Sequence, residues 1–356
     1  MTQSTISNPA VFQPCEFSYL GAMAGLLQAV GIPCDVVDIG GYSGYAFLMK
    51  TTAGWIDPGS PSLHSGNVKQ TSEAVLQLWS DFRAGTESLG VRLECFWDPE
   101  QFEFWDDTRR AENQQRAHHL FERVKQEIHA DHPAMVWGLF VPEYGLVNGY
   151  TEDSYLVSTF RPLIGQPDEP VRYDQLQAKG GLEAIFVSEV DSSLGKADDR
   201  SALKRAIRMA EGSPYTFKFE TPRHPIREHQ QYITGLAAYD EWACVLQEYA
   251  PGTIYYEYLS YNAACVAELK QVAGQFLSRL AQRYSDKPQA EALRRAADAY
   301  ARAEAELRQL VALFPLSESG QISAIHCTQG ATYLRAAKPH EQTALEYMQQ
   351  AFSLWS

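Results

Sequence analysis

The stretch AMVWGLFVPEYGLVNGYTEDSYLVSTF, residues 134–160, decides the class of fold. Residues 134–141 and 144–150 are short apolar runs separated at Pro142, and DSYLVSTF (153–160) follows them as a third. Runs of this length, rich in β-branched and aromatic residues, read as strands. Just upstream, residues 108–130 carry Leu120, Phe121, Val124 and Ile128 on one helical side, and just downstream GLEAIFVSEV (181–190) reads as a further strand. A helix followed by an antiparallel sheet places this half in the α+β class.

Further out on the N-terminal side, Leu20, Met23, Ala24 and Leu27 recur at helical spacing over residues 15–30, and Gly31 with Pro33 ends that helix. CDVVDIGG (34–41) and YAFLMKTT (45–52) read as strand and loop, and residues 69–89 as helix. From about residue 196 helix follows helix: 198–211, 228–249, 255–284, 287–313 and 339–354. ALRRAADAYARAEAELRQLVALF is built almost entirely from strong helix formers. The spacing therefore predicts two domains, an α+β domain over 1–195 and an all-α domain over 196–356.

Composition limits the function. The chain has 356 residues, 45% of them apolar, which is enough for one large or two ordinary cores. A net charge of −14 argues against a nucleic-acid partner, because phosphate binding needs a basic footprint. The N-terminal residues show no basic and apolar leader, and no apolar run reaches the ~18 residues that span a bilayer. The expectation is a soluble cytoplasmic protein with no membrane contact. Six scattered cysteines without a C-x-x-C pair read as free thiols, and no metal-ligand spacing is visible, so neither a metal nor another cofactor is expected.

Cys15 stands directly before the apolar helical run. A thiol in the first turn of a helix feels the unpaired backbone N–H groups, which stabilise a thiolate and can also hold an oxyanion. The alternative is a buried, inert cysteine that only fills space.

Taken together, CEFSYLGAMAGLLQAVG, GYSGYAF and GLVNGYTEDSYLV resemble the N-terminal domain of the butirosin biosynthesis protein H family, within the C39-like branch of papain-fold cysteine peptidases. YITGLAAYDEWACVL and AADAYARAEAELRQLVALFP are similar to the helical region often fused to it. The resemblance implies a papain-like domain that takes an acyl group from an acyl carrier protein or coenzyme A thioester. It passes that group to a small amine acceptor, making an amide in a natural-product pathway. Cys15 matches the nucleophile, and Gly149 with Tyr150 the G-Y turn. The family's histidine position, six residues before the turn glycine, holds Glu143, and its aspartate falls near Thr159. The upstream glutamine has only Gln13 and Asn8 as counterparts, both poorly spaced.

These departures narrow the chemistry. Amide hydrolysis needs a general acid to protonate its amine leaving group, whereas a thioester expels a thiolate that leaves unaided. A protease is thus the least favoured enzyme. Glu143 is either a base toward the incoming amine, a counter-ion for it, or a solvated loop acid. His118, His119, His224, His229 and His326 are other sources of a base. Tyr19, Tyr42, Tyr45 and Tyr150, with Trp55, are candidates to line an acyl pocket or simply core aromatics. Lys204, Arg205 and Arg208 form a basic run, with 204 and 208 one turn apart on the same helix face, that could meet an acidic carrier protein or be a solvated charge run. The long amphipathic helices of the second half offer a homodimer surface. Two readings stand beside acyl transfer: a small-molecule amidase or thioesterase using the same cysteine, and a catalytically inactive peptidase fold that binds a ligand or partner.

Overall fold

A computed structural model describes residues 3–52, 73–98, 106, 108–178, 181–191, 198–212, 217–219, 230–248, 254, 256–317 and 322–355. In chain order these form β1 (Ser4–Thr5), α1 (Ser18–Ala29), α2 (Val36–Ser43), β2 (Lys50–Thr52), α3 (Glu73–Glu87), β3 (Val91–Asp98), α4 (Arg110–His129), β4 (Ala134–Trp137), β5 (Tyr144–Tyr150), β6 (Ser154–Ser158), β7 (Val171–Arg172) and β8 (Leu182–Val190). They continue with α5 (Asp199–Glu211), β9 (Phe217–Phe219), β10 (Gln230–Thr234), α6 (Leu236–Gln247), α7 (Tyr256–Arg283), α8 (Ala290–Leu313) and α9 (Ala324–Ser353). The chain divides into two compact units. Among the described residues, the first takes those up to Ile39 and those of 87–191, and the second takes those of 40–52, 73–86 and 198–355.

The first unit is α+β. Its antiparallel sheet has the order β3-β8-β4-β5-β6-β7, with β1 added to β5 beside Gly149 and Tyr150. Strands 134–137, 144–150 and 154–158 fall where the apolar runs of the 134–160 stretch put them. Each face of the sheet carries a helix. α1 lies on the face of Tyr144 and Leu146, where Tyr19 meets Tyr144 edge-on. α4 lies on the other, where Phe121 meets Tyr155 and Arg123 stacks over Phe186. The buried stripe of α4 is Ala117, Leu120, Phe121, Val124 and Ile128, the 3.6-residue repeat seen in the sequence.

Two glycines on α1 explain how the chain enters it. A Cβ on Gly21 would come within 2.4 Å of the Gln13 carbonyl oxygen, and one on Gly25 within 2.2 Å of that of Val11. With only hydrogens there, residues 11–13 can cross the helix in contact with its backbone, and the Gln13 N–H bonds the Gly21 carbonyl at 3.1 Å. That crossing delivers residues 14–17 to the start of α1.

The second unit is mainly helical. α8 packs against both α7 and α9, and α6 against α9. Trp242, Leu246, Leu259, Leu307, Leu310, Phe314 and Leu334 form the core between them. It is not all-α: β2, β10 and β9 make a small antiparallel sheet in that order. β2 falls within the 45–52 run read as strand and loop, whereas the helical reading of 228–249 is corrected at β10, where aromatic and β-branched residues (Tyr232, Ile233, Thr234) favour a strand.

Three other boundaries differ from the sequence reading. Residues 36–43 are helix rather than strand, because the Asp35 carboxylate accepts the N–H groups of Val37 and Asp38 at 3.0 and 3.1 Å and starts a turn there. Residues 91–98, which had no assignment, are a strand paired along its length with β8. The last helix starts at Ala324, where the Ser323 hydroxyl accepts the Ile325 N–H, and continues through Pro339.

Candidate functional site

Cys15 is buried, 3% exposed, and lies three residues ahead of Ser18, the first residue of α1. This corrects the expectation that it occupies the first turn. The reason is local: Phe17 is extended (φ −91°, ψ 96°) and caps the helix, while Pro14 precedes the bend that follows the crossing over Gly21.

Ser18 ties this end of α1 to β5. Its hydroxyl accepts the Tyr144 N–H at 3.0 Å and donates to the Glu143 carboxylate. Glu143 is thereby held against the first turn of the helix that Cys15 precedes. Glu143 is half-buried.

Behind this contact lies a buried acid that the sequence reading missed. The Tyr144 hydroxyl crosses the sheet to donate to Glu183 at 2.7 Å. Glu183 pairs with Trp97 on β3, and Tyr144 pairs with Trp137 on β4, their rings 4.9 Å apart. Enclosed in this row of rings, the Glu183 carboxyl loses its hydration and is pushed up to about 7, a rise that the Tyr144 hydrogen bond only partly offsets. The only sequence signal was one acid in an otherwise apolar strand, GLEAIFV.

No family model matches this chain, and no curated protein matches it either.

The remaining residues of the expected constellation separate into those brought to this end of the sheet and those placed elsewhere. Tyr19 is buried on α1 against Tyr144. Thr159, near which the resemblance expects an aspartate, is itself bonded to an acid: its N–H and hydroxyl both donate to Asp168, at 3.1 and 2.6 Å. Gln13 donates to the Val11 carbonyl, and Asn8 to that of Ala29 at the far end of α1. Tyr150 stands at the other end of β5 from Tyr144, roughly 20 Å away at the rise of a strand. There its hydroxyl shares a 2.5 Å hydrogen bond with His129. His118 and His119 are exposed on α4, against Tyr173 and Phe96, on the face of the sheet opposite α1.

The other named residues belong to the second unit. Tyr42 is buried and donates to Asp199 at 2.6 Å, and Tyr45 is buried against Phe82. Lys204 is exposed on α5. Arg205 donates to the Tyr42 carbonyl at 2.6 Å and Arg208 pairs with Asp81 at 2.9 Å, so two of the three cations of the basic run are engaged within the unit. His326 is exposed beside Phe314. Trp55, His224 and His229 lie outside the described residues. Among the described residues, no cluster of three or more His, Cys, Asp or Glu side chains could hold a metal ion, and no helix is long and apolar enough to cross a membrane.

Proposed function

We propose that the first unit is a papain-like domain acting as a cysteine-dependent acyltransferase. The Cys15 sulfur attacks the carbonyl of an acyl carrier protein or coenzyme A thioester, the donor thiolate leaves, and the acyl group rests on sulfur. A small amine then attacks the new thioester, the Cys15 thiolate is expelled, and the proton shed by nitrogen passes to a base. The observation that carries this reading is the Ser18 bridge, which fixes a carboxylate, Glu143, at the start of the helix that Cys15 precedes. A thiolate leaving group makes an acid catalyst unnecessary in the first step, so a carboxylate in place of an imidazole is tolerable for thioester chemistry.

The burial of Cys15 favours a second reading, a peptidase fold that keeps only a binding role. One experiment separates them. The protein is incubated with an acyl thioester, with and without amines, and the peptide holding Cys15 is weighed by mass spectrometry. Acyl transfer requires acyl mass on that peptide, discharged by amine and absent from Cys15→Ala. Discharge by water alone means a thioesterase, and no acyl mass means a binding protein.

A further inference from the structure

At the end of the sheet where β5 begins, three segments converge: residues 11–13 crossing α1, the connection from β4 to β5, and the chain that leaves β6. The Phe160 ring lies 6.5 Å from that of Phe12 and 5.4 Å from that of Phe140, one residue from each segment. Arg161 stacks its guanidinium 4.5 Å over the Phe140 ring. One terminal nitrogen, Nη2, meets Glu169 at 3.2 Å, and Glu169 is largely exposed. The Nε of Arg161 is sealed from solvent and has no hydrogen-bond partner.

A charged donor withdrawn from water without an acceptor is costly, so this nitrogen is either a liability or half of a site. Nε and Nη2 are parallel donors on one edge of the guanidinium, spaced to match the two oxygens of a carboxylate. Glu169 reaches only one of them, from the solvent side, and an exposed pair of this kind is weak enough to be displaced. Leu163 and Ile164, in the same short helical turn as Arg161, are 48% and 55% exposed. They offer an exposed apolar shelf within three residues of Arg161.

We propose that Arg161 and the Phe12–Phe140–Phe160 cluster form a binding site for a small organic carboxylate with an apolar tail. The carboxylate displaces Glu169 from Nη2 of Arg161 and, as that contact opens, reaches Nε on the same edge, while the tail covers the rings and the Leu163–Ile164 shelf. A protein of charge −14 repels anions in general, so recognition of one rests on a local cation of this kind. The site does not depend on Cys15 being a nucleophile.

Octanoate is the probe, titrated into the full chain by calorimetry or NMR, with octanamide and octylamine as neutral and cationic comparators of the same length. Octanoate should saturate, and octanamide should bind at least about tenfold more weakly. Arg161→Gln should lose at least about tenfold in octanoate affinity, while Glu169→Gln, which removes the competing carboxylate, should gain affinity by about threefold. Cys15→Ala should bind like the parent, which keeps failure of this site distinct from failure of the acyltransferase reading. Equal binding of octanoate and octanamide, an octanoate affinity indifferent to either substitution, or no saturation by about 10 mM overturns the proposal. Should Arg161→Gln not fold, Glu169→Gln decides alone: unchanged affinity counts against the site.

Discussion

Lys270 on α7 and Glu341 on α9 form an ion pair at 2.8 Å in which neither side chain has any solvent exposure. Glu341 also accepts from the Tyr239 hydroxyl, and Lys270 sits 5.7 Å from the Tyr300 ring centroid. Burial pushes the Lys270 ammonium toward losing its proton, and the neighbouring Glu341 carboxylate only partly offsets that push. Lys270→Ala or Glu341→Ala strands the remaining charge and should cost about 3–5 kcal/mol, read as a fall in denaturant midpoint. Lys270→Met with Glu341→Leu should recover most of that loss, because an apolar pair of similar volume needs no compensation for lost hydration.

Glu183 should make the protein less stable as pH rises through neutrality. Its folded value of about 7 lies above the ordinary 4.5, so from pH 4.5 to 7 the folded state retains a proton that the unfolded state has released. Stability contributed by this group is complete below 4.5, declines across that window and is lost above 7, by an amount on the order of 3 kcal/mol. Chemical denaturation between pH 5 and 8 checks the slope. Glu183→Gln, which keeps an acceptor for Tyr144 without titrating, should flatten it.

Ser18→Ala should weaken the first unit and the proposed chemistry together. The Tyr144 N–H loses its acceptor in a buried position, at a cost of about 1–3 kcal/mol, and Glu143 loses the donor that fixes it. Ser18→Thr keeps the hydroxyl and should restore much of both. Thermal unfolding reads the first effect, and the rate at which an amine discharges acyl mass from Cys15 reads the second. A stability loss with unchanged discharge would assign Ser18 and Glu143 to structure alone.

Asp199 accepts from Tyr42, Arg283 and Tyr284. Tyr42→Phe removes one of these donors and should cost about 1 kcal/mol, whereas Asp199→Ala deprives all three and should cost about 1–3 kcal/mol. The Arg283 side chain is 48% exposed and regains water when released, which keeps this loss below that of the Lys270–Glu341 pair. If Tyr42 bound a substrate rather than this core acid, Tyr42→Phe would change affinity and leave the unfolding midpoint in place.

Much of the architecture was legible in local pattern. The strands of 134–160 and the long C-terminal helices follow from period and composition, because each buries one continuous apolar face. β3 escaped notice because Arg92 and Glu94 point to water and interrupt its apolar run. α2 read as a strand because VVDI is β-branched, and the Asp35 cap that overrides this preference is a contact of two to three residues, not a periodicity. The candidate site was legible only as a list of residue types. The Ser18–Glu143 link joins positions 125 apart, Tyr144–Glu183 joins positions 39 apart, and no spacing rule brings such pairs together. Tyr150, by contrast, is a pocket candidate through its match to a G-Y turn, and the extension of β5 carries it to the opposite end of the strand from Tyr144.

The two residues of β1 matter out of proportion to their number. β4 covers β5 only as far as Val147, and Ser4 and Thr5 take up the pairing at Tyr150 and Gly149. Without them a bare length of strand margin would be left open to a second molecule, and the outcome would be chains associating side by side rather than a loosened monomer. Trimming residues 1–5 is therefore a matter of colloidal behaviour more than of folding energy.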